Sequence, residues 1–323
     1  MVWRLIIHTV AVLVLSIVIG TIISIPVVFV GSALGFFSPE QIAALQDNPA
    51  VLEANLILLV TQGVVLLIAV PLATWLVGHF VGRRKVFEDF GLKLDADWWI
   101  DLGFGLLLGA VLMAGIFLIE LAAGWVTVTG TFVAAEGNAI VGIVAVLIAF
   151  LCVGFYEEVL SRGYHLVNLA EGFSGLGKAP AIALATLLSS ALFGVLHATN
   201  PNASALSTFN IFLAGFMLAA GMLLTGKLAI PIGLHITWNF FQGAVFGFPV
   251  SGLSPVATVV AVEQGGPALL TGGAFGPEAG LIGVAAMAVG IALTVGYVRL
   301  RYGSVDLHGP LVEPALRVRA EQT

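Results

Sequence analysis

The chain alternates between long apolar runs and short polar stretches. No charged residue occurs from Leu5 to Pro39, from Ala54 to Gly82, from Ala179 to Gly226 or from Leu228 to Val262. These runs show only weak alternation of period two, so they read as helices and not as the strands of a membrane barrel. A helix needs about 20 predominantly apolar residues to cross a bilayer. On that measure the sequence predicts eight spans, at about residues 5–30, 55–79, 101–123, 139–160, 180–198, 205–225, 228–248 and 279–300.

The polar stretches test this count. Eight spans put both termini on one side. That side then holds Arg4, Arg83, Arg84, Lys85, Lys93, Arg162, Lys178, Lys227, Arg299, Arg301, Arg317 and Arg319, which are all 12 basic residues. The opposite loops hold Glu40, Asp47, Glu53, Glu136, Glu263 and Glu278, and no Lys or Arg. The positive-inside rule therefore predicts cytoplasmic termini, and one span more or fewer would break the segregation. Trp3, Trp98 and Trp99 are expected as anchors at the cytoplasmic interface and Trp125 at the outer one. Gly105 and Gly109 form a GxxxG pair, which predicts a close helix contact in span three. Residues 249–279 are rich in Gly and Pro yet still apolar. They read as an extracytoplasmic loop, with a segment dipping into the membrane surface as the other reading. The residues after Arg301 read as a loose tail.

Composition agrees. Charged residues make up 9% of the 323, against about 25% in an ordinary soluble domain. Apolar residues make up 59%, and mean hydropathy is +1.10. A net charge of −6 without a basic cluster argues against nucleic acid as a partner. No Walker-type phosphate loop is present, so no nucleotide is expected. The single cysteine, Cys152, excludes an intrachain disulfide and a cysteine-based zinc site. The first apolar run is too long for a signal-peptide core and reads as a retained span. The fold class expected is an all-α polytopic membrane protein of about eight transmembrane helices, with the lipid bilayer as its constant partner. The short loops suggest a prokaryotic plasma (inner) membrane.

Polar residues inside apolar spans are costly, about 2.5–3.5 kcal/mol for a charge at the helix centre, so they point to function. Glu157-Glu158-Val-Leu-Ser-Arg162 ends span four. Glu158 and Arg162 are four apart and share a helix face, so they can pair, while Glu157 points about 100° away. One carboxylate can then be held by the arginine while the other faces a cavity. Neighbouring carboxylates in a dry place suit a general base. The ordinary alternative is a solvated helix end. Phe193-Gly-Val-Leu-His197 lies in span five and His235-Ile-Thr-Trp-Asn239 in span seven, each pair on one face. A lone histidine of this kind is commonly a helix–helix hydrogen-bonding residue. The turn Thr199-Asn-Pro-Asn-Ala203 is either an ordinary outer turn or irregular backbone lining a cavity. With the spans as drawn, Glu157 and His197 sit toward opposite membrane faces. They converge only if span four runs past Arg162 or span five ends inside the membrane.

These three motifs, EExxxR, FxxxH and HxxxN in that order, resemble the CAAX protease and bacteriocin-processing family of intramembrane proteases, which includes Ras-converting prenyl-protein proteases. The resemblance covers about residues 139–247. It implies an intramembrane endopeptidase acting on membrane-associated peptides or prenylated proteins. It further implies that Glu157 activates water with His197 beside it, that His235 and Asn239 donate to the oxyanion, and that Glu158 and Arg162 orient Glu157. Phe193 and Trp238 are expected near the substrate. No cofactor is favoured. Zinc or another divalent metal is the alternative, with Glu157, His197 and His235 as ligands, although no HExxH helix is present and Arg162 would repel a nearby dication. Ser189, Ser190 and Cys152 are available but not required as nucleophiles. The chain is then one integral membrane domain, 1–323, with a catalytic core at 139–247, accessory spans at 1–138 and 248–300, and a cytoplasmic tail at 301–323. Two other classes fit the same polar residues. One is a proton-coupled secondary transporter, which an internal inverted repeat would favour and which none supports here. The other is a non-catalytic immunity or scaffold protein on the same fold.

Overall fold

The computed structural model describes residues 1–37 and 55–317. The loop acids Glu40, Asp47 and Glu53, and Arg319, lie outside the described residues. Seven described helices are long and apolar enough to cross a membrane. They are α1 (Val2–Ala33), α2 (Leu56–Val81), α3 (Ala96–Ala122), α4 (Ala139–Gly172), α5 (Lys178–Leu196), α6 (Ala205–Thr225) and α8 (Leu281–Tyr302). The seventh expected span is a shorter helix, α7 (Ala229–Phe240), which continues as a π-helical turn over Phe241–Val245. Every residue from Ala229 to Ile236 is buried, so α7 is wrapped by protein and not by lipid.

Polar side chains fix where the helices start. Asn55 caps α2 by accepting from the Ile57 and Leu58 amides, and Asn138 caps α4 through Ile140 and Val141. Asp95 caps α3 through the Trp98 amide, and Ser204 with Ser207 forms a reciprocal capping box at α6. Each satisfies amides that lie ahead of the first helical turn and have no intrahelical acceptor.

The loops gather at two ends. At one end the Leu228 amide donates to Gly91 and the His308 amide to Leu223, and Arg301 pairs with Asp97 at 2.5 Å. Arg4 meets Glu171 at 2.7 Å, and Arg84 is clamped by Asp89 and Glu171. At the other end, loops 123–138, 197–204 and 246–280 meet, and their acids are Glu136, Glu263 and Glu278. Four expectations change. Arg162 is not a loop charge, because α4 runs on to Gly172 and buries it. Trp98 is not an interface anchor, because it is buried and donates to the Gly91 carbonyl at 3.1 Å. The residues after Arg301 are not loose: Leu311 is buried, the Ala315 amide donates to Asp89, and Leu316 bridges Arg84.

The fourth change concerns β structure in a chain expected to be all-α. β1 (Val126–Ala134) and β2 (Ala257–Gln264) form an antiparallel pair, from Val126 opposite Gln264 to Ala134 opposite Ala257. The β-branched alternation Val-Thr-Val-Thr in β1 is the sequence signal for it. Residues 249–279 are therefore an ordered cap and not a plain loop. Their last turn, Pro277–Ala279, is buried, and Asn210 of α6 donates to the Ala279 carbonyl at 2.7 Å.

Two close helix contacts place the site. A Cβ on Gly105 or Gly109 would strike the α7 backbone at Ile230 and Leu234, so the GxxxG face of α3 is where α7 packs. On the other side of α7, a Cβ on Gly154 would lie 2.5 Å from Ile236 Cγ1 and 3.0 Å from the Ile236 amide. Backbone-to-backbone approach of α4 and α7 at Gly154 sets the glutamates one turn further on against His235.

Candidate active site

The carboxylates sit near the middle of α4. After Glu158 the helix widens into a π-helical stretch, Val159–Leu166, before regular turns resume at Val167. Such wide turns recur at functional sites, where they re-aim side chains without breaking the helix. Glu158 is wholly buried and Arg162 is 1% exposed. Arg162 Nη1 donates to Glu158 Oε1 at 2.9 Å and Nη2 to the Gly215 carbonyl of α6 at 3.3 Å. The guanidinium lies 4.3 Å from the Phe193 ring centre. His235 Nδ1 reaches the same Glu158 oxygen at 2.8 Å. Glu158 is thus the hub that joins α4, α6 and α7.

Glu157 faces the other way, as the helical repeat requires. Its Oε2 lies 4.0 Å from His197 Nε2 and 3.9 Å from His235 Nε2. Both gaps exceed a direct hydrogen bond but suit one bridging water. His197 stands at the end of α5 and its Nδ1 bonds the Phe193 carbonyl at 2.8 Å. A carbonyl only accepts, so Nδ1 carries a proton, and Nε2 is the ring atom turned toward Glu157. The four-residue spacings of Glu158 with Arg162 and of Phe193 with His197 are therefore contacts, His235 and Asn239 line one cavity, and the long α4 resolves the convergence.

Glu157, His197, His235 and Asn239 line one cavity of about 570 Å³. Its walls come from Leu59, Gln62 and Gly63 of α2, from Val146 to Tyr156 of α4, from Ala135 and Glu136, and from Val250 to Ala257. Asn200 also lines it, and donates to the Ser251 carbonyl at 3.1 Å, while Asn202 donates to Gly252 at 3.1 Å. The turn at 199–203 thus takes its cavity-lining reading. Phe193 and Trp238, expected near substrate, are buried and line a second, smaller cavity that shares His197, His235 and Asn239 with the first. Phe193 supports Arg162, and Trp238 packs in the apolar core. Ser189 donates to the Ser161 carbonyl at 3.0 Å, and Cys152 is buried.

The sequence reading missed Gln62 and the Glu278 clamp. Gln62 was visible by the rule already applied, as a polar residue inside an apolar span. Glu278 was counted as a loop acid, but it is buried. It accepts from the Ser251 amide at 2.6 Å and from Gln242 Nε2, which also donates to the Pro249 carbonyl at 2.5 Å. The clamp holds the cavity wall at Val250–Ser251. Burial pushes the Glu278 carboxyl from the ordinary 4.5 up to about 7. Between those values the folded protein keeps a proton that the unfolded chain has released, so stability falls as pH rises from about 4.5 to about 7. Each unit is worth ~1.4 kcal/mol, which makes the whole effect on the order of 3 kcal/mol. Thermal melts of Glu278→Gln and the parent across that range test this. The parent should lose stability relative to the variant as pH rises, and parallel curves would refute it.

A metal fits these donors poorly. No group of three or more His, Cys, Asp or Glu among the described residues is arranged to hold a metal ion. Bonds of ~2.0–2.1 Å around a tetrahedral zinc put neighbouring ligand atoms about 3.3 Å apart. The gaps from Glu157 Oε2 are 4.0 and 3.9 Å.

The comparison with known families meets this geometry. Residues 139–241 match the family described as type II CAAX prenyl endopeptidase Rce1-like. That stretch runs from the start of α4 to the end of α7 and contains every residue of the three motifs. No curated protein and no solved structure matches the chain. The chain carries a domain of the CAAX protease family. With its long apolar helices, the chain is a multi-pass integral membrane protein that is similar, over those residues, to an intramembrane endopeptidase family.

Proposed function

We propose that the protein hydrolyses peptide bonds of membrane-associated substrates by a glutamate-activated water, without a metal. The observation that carries this is the meeting of Glu157, His197 and His235 on one cavity wall, with Glu158 held behind them by Arg162. A water bridging Glu157 Oε2 and His197 Nε2 loses its proton to the carboxylate and attacks the peptide carbonyl. His235 keeps one proton on Nδ1, directed at Glu158. With Nε2 also carrying a proton, it and the Asn239 amide donate to the oxyanion, while Glu158 accepts from Nδ1 and holds the ring in place. Losing one such donor costs ~10²–10³ in rate. Glu157 then passes its proton to the leaving amine.

The basic end of the bundle reads as cytoplasmic, which puts the cavity toward the outer face. A prokaryotic plasma membrane and a prenylated or bacteriocin-type substrate are consistent with this. The test is cleavage of quenched fluorescent lipidated peptides by purified protein in detergent, with and without chelator, alongside metal analysis. Chelator-resistant cleavage is the expected result. Stoichiometric zinc with chelator-sensitive cleavage would overturn the metal-free mechanism and make His197, His235 and Glu157 ligands.

A further inference from the structure

The charge inventory of the cavity bears on which peptide it accepts. Its titratable lining groups are Glu136, Glu157, His197 and His235, and no Lys or Arg lines it. Arg162 does not serve, since it lies behind Glu158 and under Phe193. Nor does any neighbouring segment of the chain supply a cation. Residues 5–82, 94–161, 179–226 and 228–298 contain no Lys or Arg, so none of the described loops at this end carries one. Glu136 is exposed where β1 leads into α4, at the edge of the cavity. The rest of the lining is mainly apolar, with Val146, Phe150 and Val153 of α4 facing Leu59 of α2.

A CAAX box is a C-terminal sequence, so it ends in a free carboxylate. If the bond after the cysteine is cut, three residues separate that bond from the carboxylate, a reach of at most ~11 Å. The anion would then lie beside two glutamates in a mainly apolar cavity, with no lysine or arginine to pair with. An unpaired charge in such a place is disfavoured. We infer that the cavity takes an uncharged, apolar stretch internal to its substrate and discriminates against a free carboxylate within three residues of the scissile bond, with Glu136 setting part of that preference. The inference rests on the protease reading and narrows its substrate class.

Two fluorogenic peptides test it, each containing S-farnesyl-Cys-Val-Ile-Met at the C-terminus, one as the free acid and one as the carboxamide. The wild-type protein in detergent should cleave the amide with kcat/KM higher by about tenfold, the size expected for like charges about 10 Å apart at an intermediate dielectric. Glu136→Gln should narrow the ratio and Glu136→Lys should reverse it. A ratio taken within each variant is insensitive to how much of the protein is folded. Equal rates, or a preference for the acid, would overturn the inference while leaving the protease reading intact. A wild-type preference unchanged by both substitutions would overturn the part given to Glu136. Cleavage of neither peptide, nor of one carrying the same sequence internally, by protein that melts cooperatively would overturn the protease reading and the inference together.

Discussion

Glu157→Gln is expected to abolish peptide cleavage while the protein keeps its melting temperature. General-base catalysis supplies ~10²–10⁴ in rate, and here the same group also returns the proton to the leaving amine, so the loss should sit at the upper end. The substitution keeps the shape of the side chain and removes only its basicity. Little of the fold depends on that charge. Glu157 is 19% exposed, its Oε2 has no hydrogen-bond partner among the described residues, and Tyr156 Oη reaches Oε1 only at 3.5 Å. The fall should appear in kcat with KM nearly unchanged, because the carboxylate acts on water and not on the bound chain. Kinetics on a lipidated peptide, paired with a thermal melt, decide the matter. A variant retaining a tenth of the parent rate would remove Glu157 from the role of base.

The residues of the site were legible in the sequence, and their arrangement was not. Glu157, Glu158, His197, His235 and Asn239 stand out because each is a polar cost inside an apolar run. The four-residue spacing of Glu158 and Arg162 also forecasts the pair seen at 2.9 Å. The depth of the site was hidden by α4. A hydropathy window ends that span near residue 160, where Ser161, Arg162 and His165 lower the mean, yet the helix continues to Gly172. Arg162 is held there by Glu158 and by the Gly215 carbonyl of α6, a partner on another helix that a window along one helix does not see. The same blindness applies to α7. Its apolar run reads as one more bilayer span, but the run is apolar because protein surrounds it. The docked residues 303–317 were opaque for the opposite reason. They lack a long apolar run, and it is the buried Leu311, the His308 amide on Leu223 and the Ala315–Asp89 hydrogen bond that reveal their packing.

Arg162→Ala is expected to be the most destabilising single change at the site, by ~3–5 kcal/mol, the range found when one partner of a buried ion pair is removed. Three interactions go at once: the bond to Glu158, the bond to the Gly215 carbonyl and the stacking on Phe193. Glu158 is left fully buried, with Oε2 unpartnered among the described residues and His235 alone on Oε1. A stability loss by itself would not separate a missing charge partner from a missing side-chain volume. The double variant Arg162→Met with Glu158→Gln does so. Methionine refills the space beside Phe193, and the neutral amide no longer needs a cation, so most of the stability should return. Activity should not return with it. His235 would still meet a hydrogen-bonding oxygen but no longer an anion, so the charge-assisted bond that fixes the ring beneath the oxyanion would be lost. Recovery of melting temperature without recovery of cleavage would therefore separate the two tasks of the Glu158–Arg162 pair. A double variant as unstable as Arg162→Ala would show that packing, and not charge, carries the effect. A double variant that cleaves at the parent rate would show that His235 needs no anion behind it.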